Sequence, residues 1–175
     1  MHLVTSSLFL SSIVAHLSPH SATLLLRAHF AVSLAWYLIQ GRPALPLREF
    51  YAGTTAMPSP PETVARPTPA EGTLTPDVAA PNPWLPIIQT TLVHPGEHLC
   101  KTQRALMHAA TLYGSRVPAD FAGIQLDGVA DVLDGTLFVR VAGLTADRLR
   151  WMKEGQSKVI VDGQVGSEWD RMGYA

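Results

Sequence analysis

The prolines of this chain are concentrated in one segment, and that segment divides the sequence. Eleven of the fourteen prolines lie between Pro43 and Pro86. Proline lacks the backbone N–H that helices and sheets use, and it biases the preceding residue away from the helical region. No apolar periodicity survives between Gly53 and Ala80. We therefore predict a Pro-rich loop or linker over residues 43–81, between an apolar helical pair (1–42) and a C-terminal helical segment of the same domain (82–175).

The charge and cysteine contents exclude several classes of protein. The 175 residues are 47% hydrophobic and 15% charged, whereas soluble domains typically carry roughly 25% charged residues. The net charge of −1 argues against a nucleic-acid-binding protein, because such binding needs a basic excess. The single cysteine, Cys100, excludes an internal disulfide and a multi-cysteine zinc site, and we expect its thiol to be buried. The low charge indicates that the chain buries surface against something outside itself.

Two apolar helices are predicted before the prolines. The first follows apolar residues from Leu3 to Leu17, and the second covers Ala22–Ile39 after a Ser18-Pro19 start signal. Gly41 and Pro43 end the second helix. Its apolar residues lie on almost every side, which is typical of a helix buried in a core or a membrane. We predict core helices, which pack against an N-terminal portion missing from this sequence or against a partner chain.

A membrane or export role for these helices is the alternative. The first residues lack the Lys or Arg of a signal peptide, and serines interrupt the apolar stretch. Ala22–Ile39 is short for a membrane span, which needs about 20 residues. Arg27 and His29 near its middle are costly in lipid. We therefore expect a cytoplasmic protein, with membrane association through residues 1–39 as the competing possibility.

The second half of the sequence also predicts helices, which makes the expected fold class all-α. Its fold is a helical array interrupted by the long Pro-rich loop, as in a fragment of a larger helical enzyme. The tail, 155–175, is glycine-rich and predicted to be irregular, with 159–161 as a short strand at most. The predicted helices cover Asn82–Val93, Glu97–Tyr113, Val129–Ala142 and, after a break at Gly143, Asp147–Lys153.

The helix over 97–113 has the clearest two-sided pattern. One face is largely apolar and is predicted to point inward; it comprises Leu99, Gln103, Leu106, Met107, Ala110 and Tyr113. The opposite face carries Glu97, Lys101, Arg104 and His108. Lys101, Arg104 and His108 on this face suit either an anionic or carbonyl-bearing ligand or, more simply, contact with solvent.

The histidines are the strongest candidates for chemistry. The sequence has no dinucleotide fingerprint, no phosphate-binding loop, no nucleophile elbow and no zinc-protease motif. His94 and His98 are four residues apart, a spacing that two ligands on one helix face share. Pro95 and Gly96 interrupt that helix, so we predict no metal site. From the residues alone, the sequence predicts a helical domain and no particular reaction.

Several strings resemble proteins of the questin oxidase-like family of fungi. They occur in the family's order and cover most of the chain outside the Pro-rich loop. The strings are His2–Leu10, Leu24–Arg27, Trp36-Tyr37, Gly41-Arg42-Pro43, His94–His98 with Lys101 and Arg104–Leu106, Tyr113-Gly114, Asp134–Arg140 and Trp169-Asp170.

The resemblance implies an oxidoreductase of polyketide secondary metabolism. It implies NADPH as cofactor, without a flavin-binding motif, and a Baeyer–Villiger-type oxygen insertion that cleaves the ring of an aromatic, anthraquinone-like substrate. Such a reaction needs donors that stabilise a developing alkoxide. His94, His98 and Arg104 are the positions matched to the family that we expect in this role.

The resemblance also implies that family members are longer than this chain. Histidine-rich strings of their N-terminal segments have no counterpart here. We therefore expect a C-terminal portion of the family pattern, inactive alone if the missing histidines belong to the active site. A non-catalytic helical interaction module is the alternative from a different functional class.

Overall fold

The structure, a computed structural model, describes residues 2–61, 81–123 and 129–153. Every regular element in these ranges is a helix, which confirms the all-α prediction for them. The helices are α1 (His2–Ser7), α2 (Leu10–Val14), α3 (Pro19–Ile39), α4 (Leu47–Gly53), α5 (Trp84–Val93), α6 (Glu97–Tyr113) and α7 (Leu137–Leu149), with one 3₁₀ turn at Pro118–Phe121. The predicted strand at 159–161, the irregular tail and residues 62–80 of the predicted loop lie outside the described residues.

The chain forms two compact units. Unit 1 is Met1–Pro46 and unit 2 is Leu47–Ala175. Residues 47–61 of the predicted loop therefore belong with the helices that follow it. The division into 1–42, 43–81 and 82–175 remains a prediction, because much of the middle segment is not described.

The first predicted helix of unit 1 is two short helices. The hydroxyls of Thr5, Ser6 and Ser7 each donate to the carbonyl oxygen three residues earlier, at 3.2, 3.0 and 2.7 Å. Hydroxyls that bond to the backbone in this way compete with the helical ladder and bend it. The helix accordingly stops at Ser7, and α2 begins at Leu10.

The start and end signals predicted for α3 are both confirmed. The Ser18 side chain accepts a hydrogen bond from the Ser21 backbone N–H, at 3.2 Å, and Pro19 occupies the first turn. This cap adds a turn, so α3 has 21 residues and not the predicted 18. The helix ends at Ile39, and Gly41 then adopts a positive φ of 81°, which only glycine reaches easily.

Unit 1 does not form a core from its described residues. No residue of α1, α2 or α3 is buried, and Phe30 and Ile39 are 69% and 71% exposed. The prediction that these helices pack against residues outside this chain is not tested by the structure of the chain alone, and it remains a prediction. By length and composition, α3 is able to cross a membrane, which corrects the expectation that it is too short.

The helices α5, α6 and α7 form the core of unit 2. Ile87 of α5, Leu106 of α6 and Val139, Ala142 and Ala146 of α7 pack in one buried cluster, which Trp151 completes. The bounds predicted for α6 are confirmed, as is its inward face around Leu99, Gln103 and Leu106. Met107 and Tyr113, at the margin of that face, are exposed. Cys100 is exposed, so the expected burial of its thiol is wrong.

Helix α7 differs from the prediction at both ends. Residues 129–136 form turns because the Asp134 carboxylate accepts from the Thr136 backbone N–H, at 2.8 Å, which competes with a helix. The helix then runs unbroken through Gly143 to Leu149. A Cβ at Gly143 would lie 2.5 Å from the Pro58 side chain. Glycine at this position therefore permits close packing of Pro58 and does not break the helix.

Helix α4 and the residues after it contact α7 and the turn before it at a few positions. Tyr51 and Thr54 bond to the start of α7, and Pro58 packs on Gly143. Arg48 also forms an exposed ion pair with Asp131, at 2.7 Å. Residues 47–58 of the predicted loop thus form a helix and a short extended segment that belong to unit 2. Their local sequence does not predict this structure.

Candidate functional site

His94 joins the turn between α5 and α6 to the end of α7. Its Nδ1 accepts a hydrogen bond from the Gly96 backbone N–H, at 3.0 Å, and its Nε2 lies 3.0 Å from the Leu149 carbonyl oxygen. Because Nδ1 accepts, the ring proton is assigned to Nε2, which donates to Leu149. Leu149 is the last residue of α7, so its carbonyl has no partner within the helix. His94 satisfies that carbonyl.

Two further contacts hold the same end of α7. The Thr90 hydroxyl donates to the Met152 carbonyl oxygen, at 3.1 Å, and the Trp151 indole N–H donates to the Asp147 carboxylate, at 2.6 Å. Thr90 is fully buried and Trp151 is 4% exposed. Arg150 turns the chain out of the helix with a φ of 76°. We call Thr90, His94, Leu149 and Trp151 the His94 junction.

His98 and Arg104, the other two predicted site residues, lie on α6. The His98 side chain is 33% exposed, and its Nε2 lies 4.0 Å from a carboxylate oxygen of Glu97. Glu97 also pairs with Lys101, at 3.2 Å. Arg104 is exposed. Both residues therefore offer donors at or near the surface of α6.

The structure does not bring the three predicted residues to one point. Six positions along α6 separate His98 from Arg104, which corresponds to about 9 Å along the axis and about 120° around it. The ring nitrogens of His94 are already bonded within the junction. His98 and Arg104 thus face different directions, and His94 has a structural role that the sequence did not predict.

A second polar cluster lies at the opposite end of α7, around Tyr51. The Tyr51 hydroxyl donates to the Asp134 carbonyl oxygen, at 2.9 Å, and accepts from the Asp134 N–H, at 3.0 Å. Arg140 donates from Nη1 to the carbonyl oxygens of Tyr51 and Thr54 and from Nε to the Thr136 hydroxyl, at 2.8 Å. We call these five residues the Tyr51 network.

The Tyr51 network places the guanidinium group of Arg140 against the phenol ring of Tyr51. The guanidinium carbon of Arg140 lies 4.9 Å from the centre of the Tyr51 ring, a cation–π distance. Burial raises the pKa of the Tyr51 phenol, although the Asp134 backbone hydrogen bond and the charge of Arg140 act in the opposite direction. Both bonding positions of the hydroxyl are used within the protein. The network therefore serves mainly to attach α4 to α7.

Buried amides on α5 and α6 retain unused bonding capacity. Gln103 is 5% exposed and donates to the Ala142 carbonyl oxygen, at 2.9 Å. Among the residues that the structure describes, its own Oε1 has no hydrogen-bond partner, and neither amide atom of Gln89 has one. These atoms can accept or donate a bond to a buried water or polar group. No group of three or more potential metal-ligating side chains occurs within 2–61, 81–123 and 129–153.

The Tyr51 network was not predicted from the sequence, although one part of it has a local signal. Asp134 two residues before Thr136 is the pattern of an Asx turn ahead of a helix. Tyr51 lies 83 residues away from Asp134, and nothing local connects them. Only the three-dimensional structure, which places Tyr51 of α4 beside the turn before α7, reveals that partnership.

Comparison with known proteins gives one family match. No curated protein and no solved structure matches this chain. The sequence model described as questin oxidase-like matches residues 1–106, from α1 through the first part of α6. His94, His98, Arg104 and Tyr51 lie within the match, whereas all of α7 lies beyond it. Since the match covers more than half of the 175 residues, the chain belongs to the questin oxidase-like family.

Proposed function

We propose that this chain contributes to a cytoplasmic oxidoreductase that inserts oxygen beside a carbonyl of an aromatic, anthraquinone-like polyketide and so prepares the ring for cleavage. The observation that carries the proposal is the family match over residues 1–106. The matched region includes the candidate donors His98 and Arg104 and also His94, which positions the start of α6, although its partner Leu149 lies beyond the match.

The reaction balances with molecular oxygen and NADPH. One oxygen atom enters the bond between the carbonyl carbon and its ring neighbour, so the ketone becomes a lactone. NADPH would supply two electrons and a proton, and solvent one proton, so that the second oxygen atom would leave as water. Hydrolysis of the lactone then opens the ring to a carboxylic acid and a hydroxyl group.

The residues of this chain contribute hydrogen-bond donors and their positioning. The developing alkoxide needs N–H donors directed at it, which the His98 imidazole and the Arg104 guanidinium are able to supply. Since these groups face different directions on α6, each acts on a different part of a bound molecule. His94 is a positioning residue, because its bonds to Gly96 and Leu149 fix the turn from which α6 starts.

NADPH does not fit a familiar dinucleotide site in the described residues. A Rossmann-type site requires a glycine-rich turn between a strand and a helix, and the described residues contain neither a strand nor such a turn. No step is therefore assigned to a particular contact with NADPH. The exposed cations Lys101 and Arg104 are the groups on α6 suited to an anionic ligand.

Mass spectrometry of an anthraquinone incubated with the chain, NADPH and oxygen tests the proposal. We expect a product heavier by one oxygen atom, and its hydrolysed form, together with NADPH oxidation. His98→Ala and Arg104→Ala should each lower the rate at least tenfold, whereas the matched variant His16→Ala, at an exposed histidine of unit 1, should not. Equal rates for all three variants would show that the assigned donors are wrong. Absence of the product would contradict catalysis by this chain.

One observation supports a non-catalytic interaction module as the second candidate. The apolar side chains of α3 are exposed on most of its circumference, as expected of an element that functions by packing on a partner. Under this alternative the chain binds a partner tightly and oxidises no NADPH in either its free or its bound form.

A further inference from the structure

Helix α3 contacts the rest of unit 1 along one narrow stripe. The stripe consists of the half-buried residues Ala22, Leu25, His29 and Ser33, which recur at helical spacing. His29 Nε2 lies 3.3 Å from the Ser6 hydroxyl of α1. The remaining residues of α3 are exposed, and most of them are apolar.

The side opposite this stripe has a cation in its centre. We call Leu24, Arg27, Phe30, Leu34 and Leu38 the Arg27 face, because at 100° per residue the four apolar side chains lie within about 60° of Arg27. Leu24, Phe30, Leu34 and Leu38 are 53%, 69%, 47% and 52% exposed. His20 and Thr23 also lie on this side of α3, towards its start, and the face is otherwise a long apolar surface around Arg27.

No side chain of unit 1 is able to neutralise that charge. Residues 1–46 contain Arg27 and Arg42 and no aspartate or glutamate. Within the described part of the chain, Arg27 makes neither an ion pair nor a hydrogen bond through its side chain. A guanidinium that becomes covered by apolar groups needs a paired carboxylate, because a buried unpaired charge is strongly destabilising.

The need for a carboxylate beside Arg27 distinguishes among the surfaces on which an apolar helix can pack. At about 31 Å, α3 matches the thickness of a lipid hydrocarbon core, but lipid tails offer no counter-charge to Arg27. A symmetric dimer through α3 pairs two regions that are both without a carboxylate. A protein surface is able to supply both the apolar contact and the carboxylate.

We propose that the Arg27 face docks against an apolar helical protein surface that presents an aspartate or glutamate opposite Arg27. The apolar side chains provide the buried area, and the carboxylate fixes the register and orientation of the partner helix. Binding does not depend on whether the chain is a catalyst, so this interaction and the proposed reaction succeed or fail separately.

Co-expression with a defined probe tests the docking. The probe is a designed two-helix protein whose exposed apolar face carries one glutamate at its centre, the chemistry that the proposal requires. We expect a one-to-one complex by size-exclusion chromatography with light scattering. Arg27→Glu should weaken it at least tenfold, while Arg42→Glu, the same charge change beyond the end of α3, should leave it unchanged. Circular dichroism verifies that both variants keep their helices.

A charge swap and two rival outcomes complete the test. Replacing the facing carboxylate of the probe by lysine should restore binding to the Arg27→Glu chain. The proposal is overturned if the probe does not bind, or if it binds both variants equally. It is also overturned if α3 alone becomes protected from protease in vesicles of phosphatidylcholine and phosphatidylglycerol, or if the chain forms a dimer that Arg27→Glu does not weaken.

Discussion

The helices α3 and α7 are both rich in apolar side chains, yet only α7 buries them. In α7 the buried residues, Val139, Ala142, Gly143, Ala146 and Leu149, recur at spacings of one to four and form one seam. In α3 the apolar residues lie on nearly every side, and none is buried. Apolar content alone therefore does not make a helix part of a core. A one-sided pattern is satisfied by two neighbouring helices, whereas an all-round pattern needs a surface that surrounds it.

The largest contrast between the two units should appear when a leucine is shortened. Leu99 of α6 is fully buried, whereas Leu34 of α3 is 47% exposed. Leu99→Ala should lower the free energy of unfolding of unit 2 by about 2–5 kcal/mol. Leu34→Ala, in unit 1, should change the free energy of unfolding by less than about 0.5 kcal/mol. Urea unfolding followed by tryptophan fluorescence measures both, and equal effects would remove the distinction between the units.

Close backbone packing within unit 2 gives the second prediction. A Cβ on Gly135 would lie 2.3 Å from the Gly114 carbonyl oxygen, while a Cβ on Gly53 would meet nothing within 4 Å. Gly135→Ala should therefore cost about 1–3 kcal/mol of stability, since the backbone at Gly114 must move. Gly53→Ala is the matched control and should be neutral or slightly stabilising. A neutral Gly135→Ala would contradict the close approach of these two segments.

The His94 junction predicts a somewhat smaller loss. His94→Ala leaves the Leu149 carbonyl and the Gly96 N–H without their partner, which should cost about 1–2 kcal/mol. His108→Ala, on the exposed side of α6, should change stability by less than about 0.5 kcal/mol. Thermal unfolding compares the two variants. If His94 acts only on substrate, its replacement will lower activity and leave the melting temperature unchanged.

The Tyr51 network predicts the smallest effect, with a pH dependence. Tyr51→Phe removes the hydroxyl that bonds to both backbone groups of Asp134, at a cost of about 1 kcal/mol. The raised pKa of Tyr51 means that the folded state holds the phenol proton more tightly than the unfolded state. This contribution to the free energy of unfolding is present below the ordinary tyrosine pKa of about 10. It is lost as the pH rises through the higher pKa that Tyr51 has in the folded state. The wild-type advantage over Tyr51→Phe should therefore shrink in alkaline solution, as urea titrations at pH 8 and pH 11 would measure.

The sequence predicted elements that depend on local signals and failed where distant residues decide. Helix α6 and the capped start of α3 follow from periodicity and from Ser18-Pro19. The break expected at Gly143 was wrong because Pro58, far away in the chain, explains that glycine. The helix α4 and the partnership of Tyr51 with Asp134 have no local signal. For the candidate site, the sequence identified His94 but not its bonds to Gly96 and Leu149, and the catalytic role of His98 and Arg104 remains a prediction.

Hydrogen exchange of the isolated chain tests the central difference between the units most directly. A helix without tertiary packing is marginally stable in water, and local stability varies with burial. We expect the amides of α3 to exchange at least a hundredfold faster than the buried parts of α6 and α7, and to slow when the docking probe is added. Equal protection of α3 and α6 in the chain alone, with no change on adding the probe, would contradict the account.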